Sequence, residues 1–216
     1  HPLRATAGNV NVMTASACPY PSTLTYGHVI PGMWYTVSAT NAAALCQRWF
    51  RDLFGDAEKA EAGACAGRVF DLMDRRAAAS PAGANGVMFH PYLQGERSPY
   101  WDAELRGSFT GLSIASTRGD FIRALLEGVA FSLLDCYGLI EEMGLPVKRI
   151  FLIGGGARSA LWSGIVCDVF NLPVAVPSPG DASFGAALLE INAVYTFVLC
   201  FFARVLMGWL TGLIFR

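Results

Sequence analysis

A chain of 216 residues and 23.2 kDa can bury a sizeable core and is too long for a peptide hormone or a disulfide mini-protein. With 16 basic and 17 acidic side chains the formal net charge is -1, which excludes a global electrostatic match to a nucleic-acid backbone or an anionic membrane. Apolar residues reach 53% and charged ones 15%, and the excess has a location: the last 26 residues hold 19 apolar side chains and two arginines, while the rest is about half apolar, close to ordinary soluble domains.

The chain opens on His1 with no basic and apolar leader behind it, and it reads as a piece of a longer chain. Cys18, Cys46, Cys65, Cys136, Cys167 and Cys200 stand singly, without a C-x-x-C pair and with only three histidines to assist. That spacing does not suit a zinc site; it suits buried thiols of a cytoplasmic protein.

The first thirty-odd residues are rich in Thr, Ser, Asn, Pro and Gly, with short apolar alternations that suit short strands and turns around Pro19, Pro21 and Pro31-Gly32. Asn41 is placed to cap a helix from Ala42 to about Phe54, with Leu45, Trp49 and Leu53 on one stripe. A second helix, charged and stopped before Pro81, is expected near Ala57 to Ala79. Val87 to Leu93 reads as a buried strand that leads into the polar loop Gly95-Glu96-Arg97-Ser98-Pro99.

Thr117 with Asp120 three residues on has the form of a capping box. Behind it Ile122, Leu125, Leu126, Val129, Leu133, Tyr137 and Ile140 keep the spacing of a long amphipathic helix that stops near Gly144. Arg149 to Ile153 is a strand running into Gly154-Gly155-Gly156, Ser159 to Phe170 a helix, and Val174 to Val176 a second strand. Together they make one βαβ unit with its glycines at the ligand-binding end of the first strand. A further helix is expected from Asp181 to Glu190.

Three glycines at a strand end let backbone approach a flat base or a phosphate without Cβ interference. The dinucleotide fingerprint fails, because counting from Gly154 puts Ser159 where its last glycine belongs, and a Walker A loop fails for want of G-K-[ST]. On the residues alone a tight turn without ligand stands level with a nucleotide loop. His90 reads as a hydrogen-bonded core histidine, and Glu127 as a buried carboxylate paired with an arginine or a backbone group. Glu96 and Arg97 read either as substrate- or phosphate-positioning groups or as members of surface ion pairs.

Five stretches in fixed order add to this. They are His28-Val29-Ile30-Pro31-Gly32-Met33-Trp34, Phe89-His90-Pro91-Tyr92-Leu93-Gln94-Gly95-Glu96-Arg97-Ser98-Pro99, Leu126-Glu127-Gly128-Val129-Ala130-Phe131, Ile153-Gly154-Gly155-Gly156-Ala157-Arg158-Ser159 and Gly185-Ala186-Ala187-Leu188-Leu189. In that order the chain resembles the C-terminal domain of an FGGY-family carbohydrate kinase, nearest the xylulokinases, over residues 26–190. Residues 1–25 are set apart as an irregular remnant and 191–216 as an apolar tail outside the family pattern.

The resemblance implies an α/β fold, the C-terminal lobe of an actin-like, ribonuclease H-like ATPase. It implies transfer of the γ-phosphoryl of ATP, with Mg2+, to a sugar hydroxyl, D-xylulose foremost. By carry-over Gly154, Gly155, Gly156, Ala157, Arg158 and Ser159 meet the adenosine. Thr40, Asn41 and Ala44, within the stretch from Ser38 to Ala44, line the nucleotide cleft at a helix start. The aspartate base and sugar contacts belong to an N-terminal lobe that this chain begins after, so no catalytic residue is assigned and the fragment is expected to be inactive alone.

Two rivals remain at this level. One is a catalytically incomplete actin-like binding module, membrane-attached through residues 191–215, a stretch long enough to cross a hydrocarbon core of about 30 Å; a buried helix or a junction outside the family also explains that stretch. The other is a nicotinamide oxidoreductase, which Ser159 disfavours. No nucleic-acid partner is expected.

Overall fold

β3 (Trp34–Thr40) is the middle of an antiparallel sheet of order β1-β3-β2. In the computed structural model, which describes residues 7–64 and 68–178, β1 (Gly8–Thr14) pairs with it along its whole length, from Gly8 opposite Thr40 to Thr14 opposite Trp34. β2 (Leu24–Gly27) covers only Trp34 to Val37 on the other edge. Beyond it the Ala39 carbonyl accepts a hydrogen bond from the Ser98 N–H at 3.1 Å. Gly8–Thr14 is therefore not an irregular lead-in but an edge of this sheet, with Val10 and Val12 turned to the core and Asn9, Asn11 and Met13 to solvent.

The alternation in β3 is unusual because its buried set includes the hydroxyls of Thr36, Ser38 and Thr40. Buried hydroxyls need partners. Thr36 finds the Cys18 carbonyl at 3.1 Å and Thr40 finds Glu96.

α1 runs Ala44–Phe54, two residues later than the sequence suggests, and Asn41 does not cap it. The residue before its first turn is Ala43, and no side chain caps the end. Its buried stripe is Cys46 and Phe50, one position on from the expected one, while Leu53 is exposed. The single charged helix expected near Ala57 to Ala79 is two, α2 (Asp56–Ala62) and α3 (Arg68–Ala78); α2 ends at Gly63, whose φ of +61° no ordinary helix residue adopts.

β4 (Met88–His90) is shorter than expected and pairs antiparallel with β5 (Ser108–Thr110). His90 lies opposite Ser108, and its Nδ1 shares a hydrogen bond of 3.0 Å with that hydroxyl.

α4 (Arg118–Glu142) is the long amphipathic helix, with the capping box of Thr117 and Asp120 formed at its start. Ile122, Leu125, Leu126, Val129, Tyr137 and Ile140 are buried, and the helix packs against β1, β3, β4, α3 and α5. Glu127 is held as expected: Arg123 Nε donates to it at 2.6 Å and the Gly83 N–H donates to both its oxygens.

β6 (Ile150–Phe151) and β7 (Val174–Ala175) are parallel, with α5 (Ala160–Phe170) between them, so the βαβ unit forms from shorter strands than expected. The described residues up to Ala175 form one compact unit. The helix expected from Asp181 to Glu190 and the apolar stretch 191–215 lie outside the described residues. Among the described residues no helix is long and apolar enough to cross a membrane.

Candidate functional site

β6 delivers the chain to Gly154, whose φ of +86° and ψ of -170° are open only to glycine. Gly155 to Arg158 then make one 3-10 turn, and Ser159 caps α5: its hydroxyl oxygen accepts the Trp162 N–H at 3.0 Å. Gly154, Gly155, Gly156 and Arg158 are exposed and Ala157 is half-buried.

The three glycines differ in what lies in front of them. Among the described residues a Cβ on Gly154 or Gly155 would meet nothing within 4 Å, whereas one on Gly156 would stand 3.1 Å from Trp162 Nε1. The bare backbone facing open space is thus Gly154-Gly155, and Gly156 is bare in order to lie on the indole. Burial raises the Asp74 carboxyl above its ordinary value, and a hydrogen bond from the Ser159 hydroxyl offsets part of that rise. Ser159 is engaged in holding α5 and α3.

The second group of site residues converges at the end of β3. Glu96 is 4% exposed, and its carboxylate is turned inward. Oε2 accepts the Thr40 hydroxyl at 2.5 Å; Oε1 accepts the Asn41 N–H and the Arg97 N–H, each at 2.7 Å. Gln94 Nε2 donates to the Asn41 carbonyl at 3.0 Å, and an Arg97 guanidinium nitrogen reaches the Thr40 carbonyl at 3.4 Å. Of the two sequence readings of Glu96 and Arg97, the surface ion pair is the one the structure rejects. Charge on a solvated face would not be buried against backbone donors.

Arg97 Nε is buried without a hydrogen-bond partner among the described residues. Ala44 is the first residue of α1 and half-buried, at a helix start that the residue before it, Ala43, does not cap with its side chain. Helix N-termini of this kind accept anions.

Two thiols back this corner. Burial pushes Cys46 and Cys136 up to about 12, and the charge of Glu96 adds to both shifts. Cys46 Sγ donates to the Ala42 and Pro91 carbonyls, and Cys136 Sγ to the Ser98 carbonyl at 3.3 Å. They serve as packing, not as nucleophiles.

Among the described residues no hydrogen bond joins the Gly154–Ser159 turn to the Thr40–Arg97 group; they meet through α4, against which both β3 and α5 pack. No group of three or more His, Cys, Asp or Glu is placed to hold a metal ion among the described residues. Sequence reasoning missed Gln94 as a tether of Asn41 and Trp162 as the floor under Gly156. The alternating hydroxyls of Thr36, Ser38 and Thr40 were the available sign that a polar partner lies against β3.

The FGGY family of carbohydrate kinases, C-terminal domain, matches residues 6–194, a stretch that takes in β1. The chain belongs to this family. Its domain is the actin-like, ribonuclease H-like lobe that the ordered motifs suggested, and the nicotinamide reading of the glycines falls with that membership.

The chain is 37% identical over 182 residues to the xylulose kinase of Staphylococcus epidermidis, covering 83% of this chain and 35% of that protein. It is equally 37% identical, over 162 residues, to the gluconokinase of Bacillus subtilis, covering 74% of this chain and 32% of that protein. Among solved structures, a xylulose kinase from Rhodospirillum rubrum superposes with a TM-score of 0.68 at 32% identity, over 80% of this chain and 33% of that one. The chain spans about a third of the length of the curated relatives it matches.

Proposed function

We propose that this chain supplies the nucleotide-binding part of an ATP-dependent sugar kinase, with D-xylulose as the sugar. The observation that carries the reading is the open backbone of Gly154 and Gly155 at the end of β6, where none of the described residues stands within 4 Å of either Cβ position. A flat base can lie against such a surface without displacing a side chain. The phosphates fit the other group, at the start of α1 beside Thr40, Asn41 and Ala44, with the Arg97 guanidinium held at the Thr40 carbonyl.

Mg2+ commonly reaches kinase sites on substrate phosphates with few protein carboxylates, so the lack of a ligand cluster among the described residues suits a metal that enters with the nucleotide. Bound ATP supplies the transferred γ-phosphoryl. This chain's residues contribute orientation, which is most of what phosphoryl transfer asks of a protein. The xylulose kinases among the relatives favour D-xylulose; the gluconokinase at equal identity names the competing sugar.

Calorimetric titration of Mg-ADP into the 216-residue protein tests the nucleotide assignment, with Gly155→Arg as control because its side chain projects into the open space. Micromolar to millimolar binding that disappears in the variant is expected; equal affinity in both proteins, or no heat in either, would sink the assignment. The sugar is tested on a kinase in which an N-terminal lobe completes this chain, by ATP consumption with D-xylulose against gluconate. Faster turnover of gluconate would replace the one by the other.

A further inference from the structure

We propose that Glu96 is a positioning residue for the phosphate end of the nucleotide site: it touches no nucleotide, and it shapes the turn between β3 and α1 that does. The role rests on the nucleotide reading above and adds a residue and a mode of action to it.

The geometry is that of a clamp. The peptide units on both sides of Asn41 are tied to the loop between β4 and β5: the N–H of Asn41 by Glu96 Oε1, its carbonyl by Gln94, and the Thr40 carbonyl by the Arg97 guanidinium. The Thr40 side chain is fixed separately by Glu96 Oε2. Two residues after Asn41 comes Ala43, and α1 starts behind it without a side-chain cap, so the turn's conformation sets where the first N–H groups of α1 point.

Glu96 is 4% exposed and both its oxygens are engaged, which leaves no lone pair aimed at a ligand by default. A carboxylate near phosphates is electrostatically unfavourable, so its charge is no help to binding in itself. Three donors directed at the carboxylate absorb that charge locally. What Glu96 contributes is therefore shape. An isosteric amide can reproduce that shape: its oxygen still accepts from the Asn41 and Arg97 N–H groups, and its NH2 can donate to the Thr40 hydroxyl oxygen.

The test compares Mg-ADP with adenosine on the 216-residue protein, by titration calorimetry and ligand-observed NMR, for wild type, Glu96→Ala, Glu96→Gln and Gln94→Ala. Glu96→Ala should lose about tenfold or more in Mg-ADP affinity and less than about twofold in adenosine affinity, since adenosine is assigned to the glycine turn. Glu96→Gln should stay within about threefold of wild type for both. Gln94 is exposed, so Gln94→Ala should fold normally and show a smaller loss, about threefold, confined to Mg-ADP.

Mg-ADP affinity unchanged in Glu96→Ala overturns the positioning role, and so do equal losses for both ligands, because general loosening would move both. If Glu96→Ala does not fold, Gln94→Ala decides: a loss confined to Mg-ADP supports the role, and unchanged affinity overturns it. Wild-type protein that binds neither ligand removes the nucleotide reading itself and this role with it. Wild-type binding with an indifferent Glu96→Ala removes this role alone.

Discussion

Arg118, the first residue of α4, closes on both oxygens of Glu58, Nε to Oε1 at 2.8 Å and a terminal nitrogen to Oε2 at 2.7 Å, across sixty positions of sequence. Glu58 lies fully buried in α2, and Arg76 of α3 adds an ion pair of 2.6 Å to Oε1. Arg118 also donates to the Phe54 carbonyl at the end of α1. A cation at a helix N-terminus opposes the helix dipole, so the carboxylate of α2 makes this start of α4 tenable; it joins α2, α3 and α4, and Arg118 adds α1.

Removing one partner of a buried ion pair strands the others. Glu58→Ala should therefore cost about 3 kcal/mol, the low end of the range for buried pairs because both guanidinium groups keep some access to water. Urea denaturation measures it. A loss under about 1 kcal/mol would put the cluster with ordinary surface pairs.

Asp120 makes stability acid-sensitive in a defined window. Hydrogen bonds from Ser80, from the Thr117 N–H and hydroxyl, and from Asn85 hold its carboxyl down at about 2, against an ordinary 3.8. An acid whose folded pKa is depressed stabilises the fold fully above its unfolded value, and that contribution drains away as pH falls from 3.8 to about 2. Melting temperature recorded against pH should fall through this window in the wild type. Asp120→Asn should start lower and fall less steeply there; parallel profiles would show that Asp120 is not the group responsible.

Buried Cys46 and Cys136, both pushed up to about 12, should resist alkylation at neutral pH while the half-buried Cys18 and Cys167 react. Peptide mass mapping after iodoacetamide, with and without denaturant, separates the two pairs. Labelling of Cys46 in the native protein would mean that the start of α1 opens readily.

What could be read from the sequence was local. The Thr117–Asp120 box and the three-and-four spacing behind it place α4 because both signals lie within a few turns of chain. Gly154 and Ser159 mark the end of β6 and the start of α5 for the same reason. The start of α1 was misplaced because an asparagine before a helix is a capping signal only if its side chain is free to turn back, and Asn41 is held through its backbone by Gln94 and Glu96, more than fifty residues on. In the sequence Glu96 stays open between a positioning group and a surface ion pair, because carboxylates are seldom buried. Only the tertiary pairing with Thr40 and Asn41 makes it an exception, and a separation of that length leaves no periodic trace.

Gly128 is the strictest packing constraint on α4. A Cβ there would strike the Phe89 carbonyl of β4, so helix and strand touch backbone to backbone at this point. Phe89 is itself 2% exposed, stacked on Trp49 and tilted against Phe109, so β4 has no room to retreat. Gly128→Ala gains helix propensity worth about 1 kcal/mol, but it must push the strand from the helix, and overpacking of this kind costs about 1 to 3 kcal/mol or more. The clash is with backbone and not with the end of a flexible side chain, which puts the cost at the upper end. A net destabilisation of about 2 kcal/mol in urea is therefore expected, and a variant more stable than wild type would mean that β4 shifts away from α4 at little cost.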